Sequence, residues 1–352
     1  MPKVAVVPGD GIGKEVTREA VKALRAVTAG SGLELDLVEW PHGADRYVQT
    51  GQAITDAEFD DLRENYQAIL LGALGDPARV PGNEHAREIL LGMRFKLDLY
   101  VNYRPVRLFH DSLTPLAGKG MADVDMVIFR ENTEGVYVGM GGVFKQGTAD
   151  EVAIQEDVNT RKGVERIIRA AFEWARANGR TRVTMSDKSN AMEHAGGLWR
   201  RVFKQVAAEY ADIQSEAKYV DMLAMDMVMA PERYQVIVTG NLFGDILSDL
   251  GAALVGGLGL SPSANIHPGR IGLFEPVHGS APDLAGKDLA NPFAAILTSG
   301  LMLEHLGRPD LGRRLEDAVR DCIAAGETTA ELGGTLGTTA AGDAVARRLT
   351  GA

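Results

Sequence analysis

The sequence contains a single cysteine, Cys322, so no disulfide can close within the chain, which fits a reducing compartment. Positive charge is also short: 37 Lys and Arg stand against 48 Asp and Glu, a formal net charge of −11. A surface of that sign repels phosphate backbones and excludes nucleic acid as the expected partner. No apolar stretch reaches the ~18 to 20 residues that span a bilayer, so no membrane partner is expected. The N-terminus lacks a basic region followed by an apolar run and a small-residue cleavage site, since Val4 to Val7 lead straight into Pro8, Gly9 and Asp10. The expectation is a cytoplasmic protein. Cys322 sits with Leu315, Val319 and Ile323 at helical spacing and reads as a small core residue rather than a nucleophile.

The 352 residues, 45% hydrophobic and 24% charged, have the composition of a globular chain, and the length suggests roughly two domains of about 150 residues. Strand and helix patterns alternate from the start. The run Val4 to Val7 is followed by helical spacing of Val16, Ala20, Leu24 and Val27, by alternating Leu33, Leu35 and Leu37, by a polar helix through EFDDLREN, and by AILLGAL at 68–74. Alternation resumes with VDMVIF at 124–129, a long amphipathic stretch at 163–179, VTMSD at 183–187, a helix containing Leu198, Val202 and Val206, and YQVIVTGN at 234–241. This order predicts an α/β protein with sheets covered by helices on both faces. Residues 138–155 form a Gly-rich excursion with two short alternating segments, which reads as an arm, a hairpin or equally a surface flap.

PGDGIGKEV at 8–16 follows a strand and precedes a helix, yet Gly9, Gly11 and Gly13 give GxGxG where a dinucleotide fingerprint needs GxGxxG. A tight turn close to a ligand or to the next strand is the better reading. In NLFGDILSDLG at 241–251, Asp245 and Asp249 leave one face of a helix a turn apart. Their mutual repulsion is relieved either by solvent or by a hard divalent cation, Mg²⁺ or Mn²⁺ for oxygen ligands, with Asp221 a candidate third carboxylate. Arg94, Arg104 and Arg130 stand at the ends of apolar runs, suited to bidentate carboxylate binding or to ordinary ion pairs. Tyr137 and Lys188 follow predicted strands, where α/β proteins place ligands and where either side chain can move a proton, although taken singly each is more often a surface residue. The segment 275–292, rich in Gly and Pro, exposes backbone for ligand contact, and Asp283 within it can accept from ribose hydroxyls; a structural loop explains it equally well.

Together GDGIGKEV, LLGMRFKLDLYVNYRPVRL, RENTEGVY, DKSN, YVDMLAM, TGNLFGDILSDLG, EPVHGSAPDLAGK and the C-terminal ELGG and GT resemble, almost end to end, the β-decarboxylating dehydrogenases of the isopropylmalate and isocitrate dehydrogenase family. The resemblance implies a two-domain α/β fold with mixed sheets flanked by helices, not a standard Rossmann fold. A first, cofactor-side domain would comprise 1–102 and 253–352; a second, 103–252, would carry a dimer arm at about 138–158 and the dimer-interface helices. It implies a homodimer with shared active sites. Arg94, Arg104 and Arg130 would hold the carboxylates of a malate-type substrate, with Leu90 and Leu91 beside its 3-substituent. Asp245 and Asp249 of one subunit and Asp221 of the other would bind Mg²⁺ or Mn²⁺. Lys188 and Tyr137 would be catalytic, and Asn190, His278, Gly279, Ser280, Ala281, Pro282, Asp283 and Asn291 would bind NAD.

The reaction implied is NAD-dependent oxidative decarboxylation of 3-isopropylmalate to 2-oxoisocaproate, in leucine biosynthesis. The same chemistry on D-malate, tartrate or another 3-substituted malate is the near alternative, and a metal-dependent phosphohydrolase or a non-catalytic organic-acid binder the distant ones. Two departures from the usual isopropylmalate pattern bear on the side-chain pocket: Arg87 and Glu88 replace a stretch that often has an acidic residue before a glycine, and Tyr103 stands where Leu is common.

Overall fold

The N-terminal apolar run forms the strand Lys3–Gly9 (β1) in a computed structural model that describes residues 1–351. It is followed by Gly13–Thr28 (α1), Asp36–Glu39 (β2), Ala44–Thr50 (α2), Asp56–Asn65 (α3), Ala68–Ala73 (β3) and Glu84–Lys96 (α4). Next come Val101–Arg107 (β4), Asp125–Glu131 (β5), Gly141–Phe144 (β6), Val152–Gln155 (β7), Arg161–Ala177 (α5), Arg182–Asp187 (β8), Glu193–Ala207 (α6), Gln214–Tyr219 (β9), Val220–Met229 (α7), Val236–Thr239 (β10) and Asn241–Leu254 (α8). The chain then runs through Pro262–Ile266 (β11), Gly272–Pro276 (β12), Phe293–His305 (α9), Pro309–Ala324 (α10) and Thr338–Thr350 (α11).

These elements gather into two compact units. One comprises Met1–Leu99, Leu108–Met121 and the chain from Ala252 onward; the other comprises Tyr100–Arg107 and Ala122–Gly251. The segment 108–121, grouped with the second domain from sequence, thus clusters with the first unit.

In the first unit the strands run β2-β1-β3-β12-β11, parallel except for the antiparallel β12–β11 pair. All six residues of β3 are buried, so it reads as a continuous apolar run rather than as an alternation. The face of α1 formed by Val16, Ala20, Leu24 and Val27 is fully buried. Cys322 is buried in α10, and burial pushes its thiol up to about 11, which removes it as a nucleophile near neutral pH. The alternation at Leu33, Leu35 and Leu37 yields only the four-residue edge strand β2, because the chain pairs with β1 no earlier than Asp36.

In the second unit the order is β4-β5-β10-β8-β9, with β4–β5 antiparallel and the other pairs parallel. The antiparallel hairpin β6–β7 has all eight strand residues exposed. Tyr103 packs edge-on against Phe129, with ring centroids 5.5 Å apart, and 5.6 Å from Trp174, the place of a core aromatic.

Within the first unit, α3 opens with a capping box in which the Thr55 hydroxyl accepts from the Glu58 amide and the Glu58 carboxylate accepts from the Thr55 amide. Arg46 on α2 donates from both terminal nitrogens to the two oxygens of Glu58, at 2.6 and 3.0 Å. Burial opposes ionisation of Glu58, but Arg46 and Thr55 outweigh it and hold the carboxyl at about 2, below its ordinary 4.5. The lowered folded-state value means stability that is fully present above the unfolded pKa and is lost as pH falls towards about 2. Glu58→Gln should therefore lower stability at neutral pH by about 1–2 kcal/mol. In urea titrations the gap between the two proteins should narrow below pH ~4, and a constant gap would contradict this origin.

Candidate active site

In the second unit, the aspartates of α8 face arginines delivered by two neighbouring strands. Arg130 is the last residue but one of β5, and its side chain is 1% exposed. Its Nε donates to Asn241 Oδ1 at 2.9 Å, and one terminal nitrogen pairs with Asp245. This approach depends on Gly244: a Cβ there would stand 2.5 Å from Arg130 Cγ. The antiparallel register sets Asn102 of β4 opposite Arg130, which puts Arg104 two residues further along. Arg104 donates from Nε to Asn102 Oδ1 at 2.8 Å and from a terminal nitrogen to Ser248 Oγ at 2.9 Å; the same nitrogen lies 3.5 Å from Asp249 Oδ1. Tyr137, on the single helical turn Val136–Val138, donates to Asp245 Oδ2 at 3.0 Å. The turn leading to it is closed by Glu131, which accepts from the Thr133 and Glu134 amides and the Thr133 hydroxyl.

The structure thus brings Arg104, Arg130, Tyr137, Asp245 and Asp249 into one cluster. Burial raises the Asp249 carboxyl above its ordinary value, Arg104 opposes this, and the like charge of Asp245 adds to it. A cation between the two aspartates would remove that repulsion, and hard carboxylate oxygens suit Mg²⁺ or Mn²⁺.

Asp221 makes a different contact. It lies in the first turn of α7, and Lys188, immediately after β8, places Nζ 2.7 Å from its carboxylate. That hydrogen bond holds Asp221 below the ordinary carboxylate range. Lys188 is positioned by its predecessor, since Arg200 on α6 clamps Asp187 at 2.7 and 2.9 Å. Among the described residues, no three His, Cys, Asp or Glu side chains come together to hold a metal ion. A single chain therefore presents two separate parts, one with paired aspartates and one with the Lys188–Asp221 pair. Exposed apolar side chains occur on the helices carrying both: Met222, Met225 and Met229 on α7, and Leu242 and Ile246 on α8.

In the first unit, α4 carries Leu90, Leu91 and Arg94, with the two leucines half-buried and Arg94 buried. Arg94 donates to Glu275 Oε1 at 3.1 Å, while its buried Nε has no partner. The loop after β12 holds His278, Gly279, Ser280, Ala281, Pro282 and Asp283, with Asn291 just before α9. Gly11 approaches this loop so closely that a Cβ would lie 2.0 Å from the Ser280 carbonyl, and the Ile12 amide donates to that carbonyl at 2.8 Å. The GDGIG turn thus serves close backbone approach to the loop.

Ala281 adopts a left-handed backbone conformation, Pro282 and Asp283 are exposed, and Asn291 is buried. Burial lowers the pKa of His278, leaving a neutral imidazole at pH 7. Its Nε2 and the Asn291 Nδ2 are buried without partners, two free polar groups on one loop that fit a nucleotide's acceptors and donors. Asn190 is exposed in the second unit and is not part of this loop. A cavity of about 750 Å³ beside α1 contains none of the predicted site residues. Its cations Lys14 and Lys22 are already paired with Asp45, and with Glu19 and Asp343.

Sequence reasoning passed over Asn102, Asn241, Gly244, Ser248 and Glu275. For four of them a signal existed: Asn241 and Ser248 stand at helical spacing from Asp245, and Gly244 directly precedes it. Asn102 stands two residues before Arg104 on one strand, so a period of two puts both side chains on one face. Glu275 acts on Arg94, which lies on a helix 181 positions away in sequence, and no local pattern reveals it.

This α/β fold is that of a class of dehydrogenases. The description of the isocitrate/isopropylmalate dehydrogenase family matches residues 3–345, and the chain belongs to that family. It is 48% identical to the 3-isopropylmalate dehydrogenase of Thermobifida fusca (strain YX) over 349 residues, covering 99% of this chain and 97% of that one. It is 47% identical to the 3-isopropylmalate dehydrogenase of Corynebacterium aurimucosum over 99% of both chains. Among solved structures, isocitrate dehydrogenase from Methylococcus capsulatus superposes with a TM-score of 0.89 at 40% identity, covering 99% of this chain and 100% of that one.

Gly244→Ala should displace Arg130 and cost about 1–3 kcal/mol of stability through overpacking. Chemical denaturation will measure the loss; wild-type stability in this variant would show that Arg130 does not need the space.

Proposed function

We propose that the chain catalyses NAD⁺-dependent oxidative decarboxylation of 3-isopropylmalate to 2-oxoisocaproate, the leucine-biosynthesis reaction, as a homodimer requiring Mg²⁺ or Mn²⁺. The observation that carries this reading is the convergence of Arg104, Arg130 and Tyr137 on Asp245 and Asp249, in a chain 48% identical to a 3-isopropylmalate dehydrogenase. Arg94, Arg104 and Arg130 bind the substrate carboxylates, and Leu90 and Leu91 receive the isopropyl group. Asp245 and Asp249 of one subunit and Asp221 of the other hold the cation. His278 to Asp283 and Asn291 bind the nucleotide, and Asn190 helps place the nicotinamide.

When bound, the cation withdraws electrons from the reacting oxygen, and NAD⁺ accepts the hydride from C2. Lys188 of the subunit that supplies Asp221, paired with that carboxylate, assists removal of the hydroxyl proton through water and Asp221, and Tyr137 helps return a proton to carbon after CO₂ departs. The exposed Asp283 suits a ribose hydroxyl and repels a 2′-phosphate, so NAD⁺ is preferred to NADP⁺.

With NAD⁺ and Mn²⁺, NADH absorbance should rise with 3-isopropylmalate and only weakly with D-malate or tartrate. Strong turnover of D-malate with none of 3-isopropylmalate would replace this reading by its near alternative. Exhaustive chelation should abolish turnover and added Mn²⁺ restore it; full activity without metal contradicts the cation site. A kcat/KM that favours NADP⁺ would contradict the role given to Asp283.

A further inference from the structure

The GDGIG turn contains a buried carboxylate that the reaction does not use. Asp10 Oδ1 accepts from the Ala44 amide at 2.7 Å; Oδ2 accepts from the Gly75 amide at 2.9 Å and lies 2.8 Å from His85 Nε2. Both side chains are wholly buried. Because a carboxylate surrounded by donors can only accept, His85 Nε2 carries the proton of this contact. One side chain thus ties together the ends of β1 and β3, the start of α2 and the first turn of α4. Two residues beyond Asp10, the Ile12 amide is bonded to Ser280 of the loop after β12.

We propose that the Asp10–His85 contact is a clamp that sets the position of α4, making His85 a positioning residue for discrimination at the substrate's 3-substituent. This rests on the reading that Leu90, Leu91 and Arg94 face the substrate. The helix is anchored at both ends, by His85 to Asp10 and by Arg94 to Glu275. His85 and Arg94 are nine positions apart, about 13 Å along the axis, so a tilt of about 5° moves one end by about 1 Å relative to the other.

Release of the His85 end leaves Arg94 held by Glu275 and lets the helix pivot there. Leu90 and Leu91 then move while the carboxylate-binding guanidinium stays. Misplacement of about 1 Å can cost up to about a hundredfold in rate. The loss falls on a substrate whose 3-substituent touches the leucines, and spares malate, which has only hydrogen there.

The test uses the full-length protein with NAD⁺ and Mn²⁺. His85→Asn is too short to put a donor where Nε2 stands, whereas the amide of His85→Gln reaches that point. For His85→Asn, kcat/KM for 3-isopropylmalate should fall at least tenfold. D-malate, followed by its kcat/KM or by its Ki against 3-isopropylmalate, should change less than threefold. NADH affinity, read by fluorescence, should be unchanged, and His85→Gln should recover most of the lost activity. Equal losses on both ligands, or His85→Gln no better than His85→Asn, overturn the clamp. If the wild-type enzyme instead prefers another 3-substituted malate, the substrate reading fails by itself, and the same comparison is made with that substrate.

Discussion

Two carboxylates one helical turn apart repel, and partial burial strengthens the repulsion because less solvent screens it. The second unit is built around this constraint at Asp245 and Asp249. Arg130 can neutralise Asp245 only because Gly244 leaves room for its aliphatic stem and Asn241 fixes its Nε. Arg104 reaches α8 because β4 runs antiparallel to β5 and is held there by Asn102 and Ser248. In the proposed reaction the partners exchange: a cation takes the aspartates, and the arginines turn to the substrate carboxylates. On that reading charge stays compensated in both states, so a chain of net charge −11 can offer a cationic pocket to a small dianion.

Much of this was legible from residue spacing. Asp245 and Asp249 had to share a helix face, and the buried runs at 68–74 and 124–129 had to be strands, because a period of four and a continuous apolar segment each leave few alternatives. What escaped lacked a local signal. β9 is an edge strand of mixed polar residues, Gln214–Tyr219, held by backbone pairing to β8 rather than by an apolar face. β2 shows the converse, since its leucine alternation extends beyond the pairing that β1 offers. Glu275 orients Arg94 through a contact between β12 and α4, 181 positions apart in sequence, and no single-segment pattern encodes that.

The GDGIG segment shows why a failed motif still carries information. Its glycine spacing does not fit a phosphate-binding turn, yet Gly11 has a positive φ of 54° and rests against the Ser280 carbonyl. The turn supports the loop that carries the unpartnered His278 Nε2 and Asn291 Nδ2, the atoms that suit a nucleotide on the proposed reading. Glycine marks close backbone approach in both designs; what differs is whether the approaching group belongs to a ligand or to the protein.

The paired aspartates and the Lys188–Asp221 pair bear on assembly. Asp221 is held by Lys188, and no trio of metal-binding side chains forms among the described residues of one chain. A hard cation prefers more oxygen ligands than two carboxylates supply, and water or a second protein chain can provide them. Water leaves unexplained why α7 and α8, the helices that carry these carboxylates, expose Met222, Met225, Leu242 and Ile246 to solvent. In the proposed homodimer a second copy would cover those apolar side chains and supply Asp221 to Asp245 and Asp249. On the proposed reading, then, association and catalysis are one requirement: the contact that hides the apolar side chains also completes the cation site.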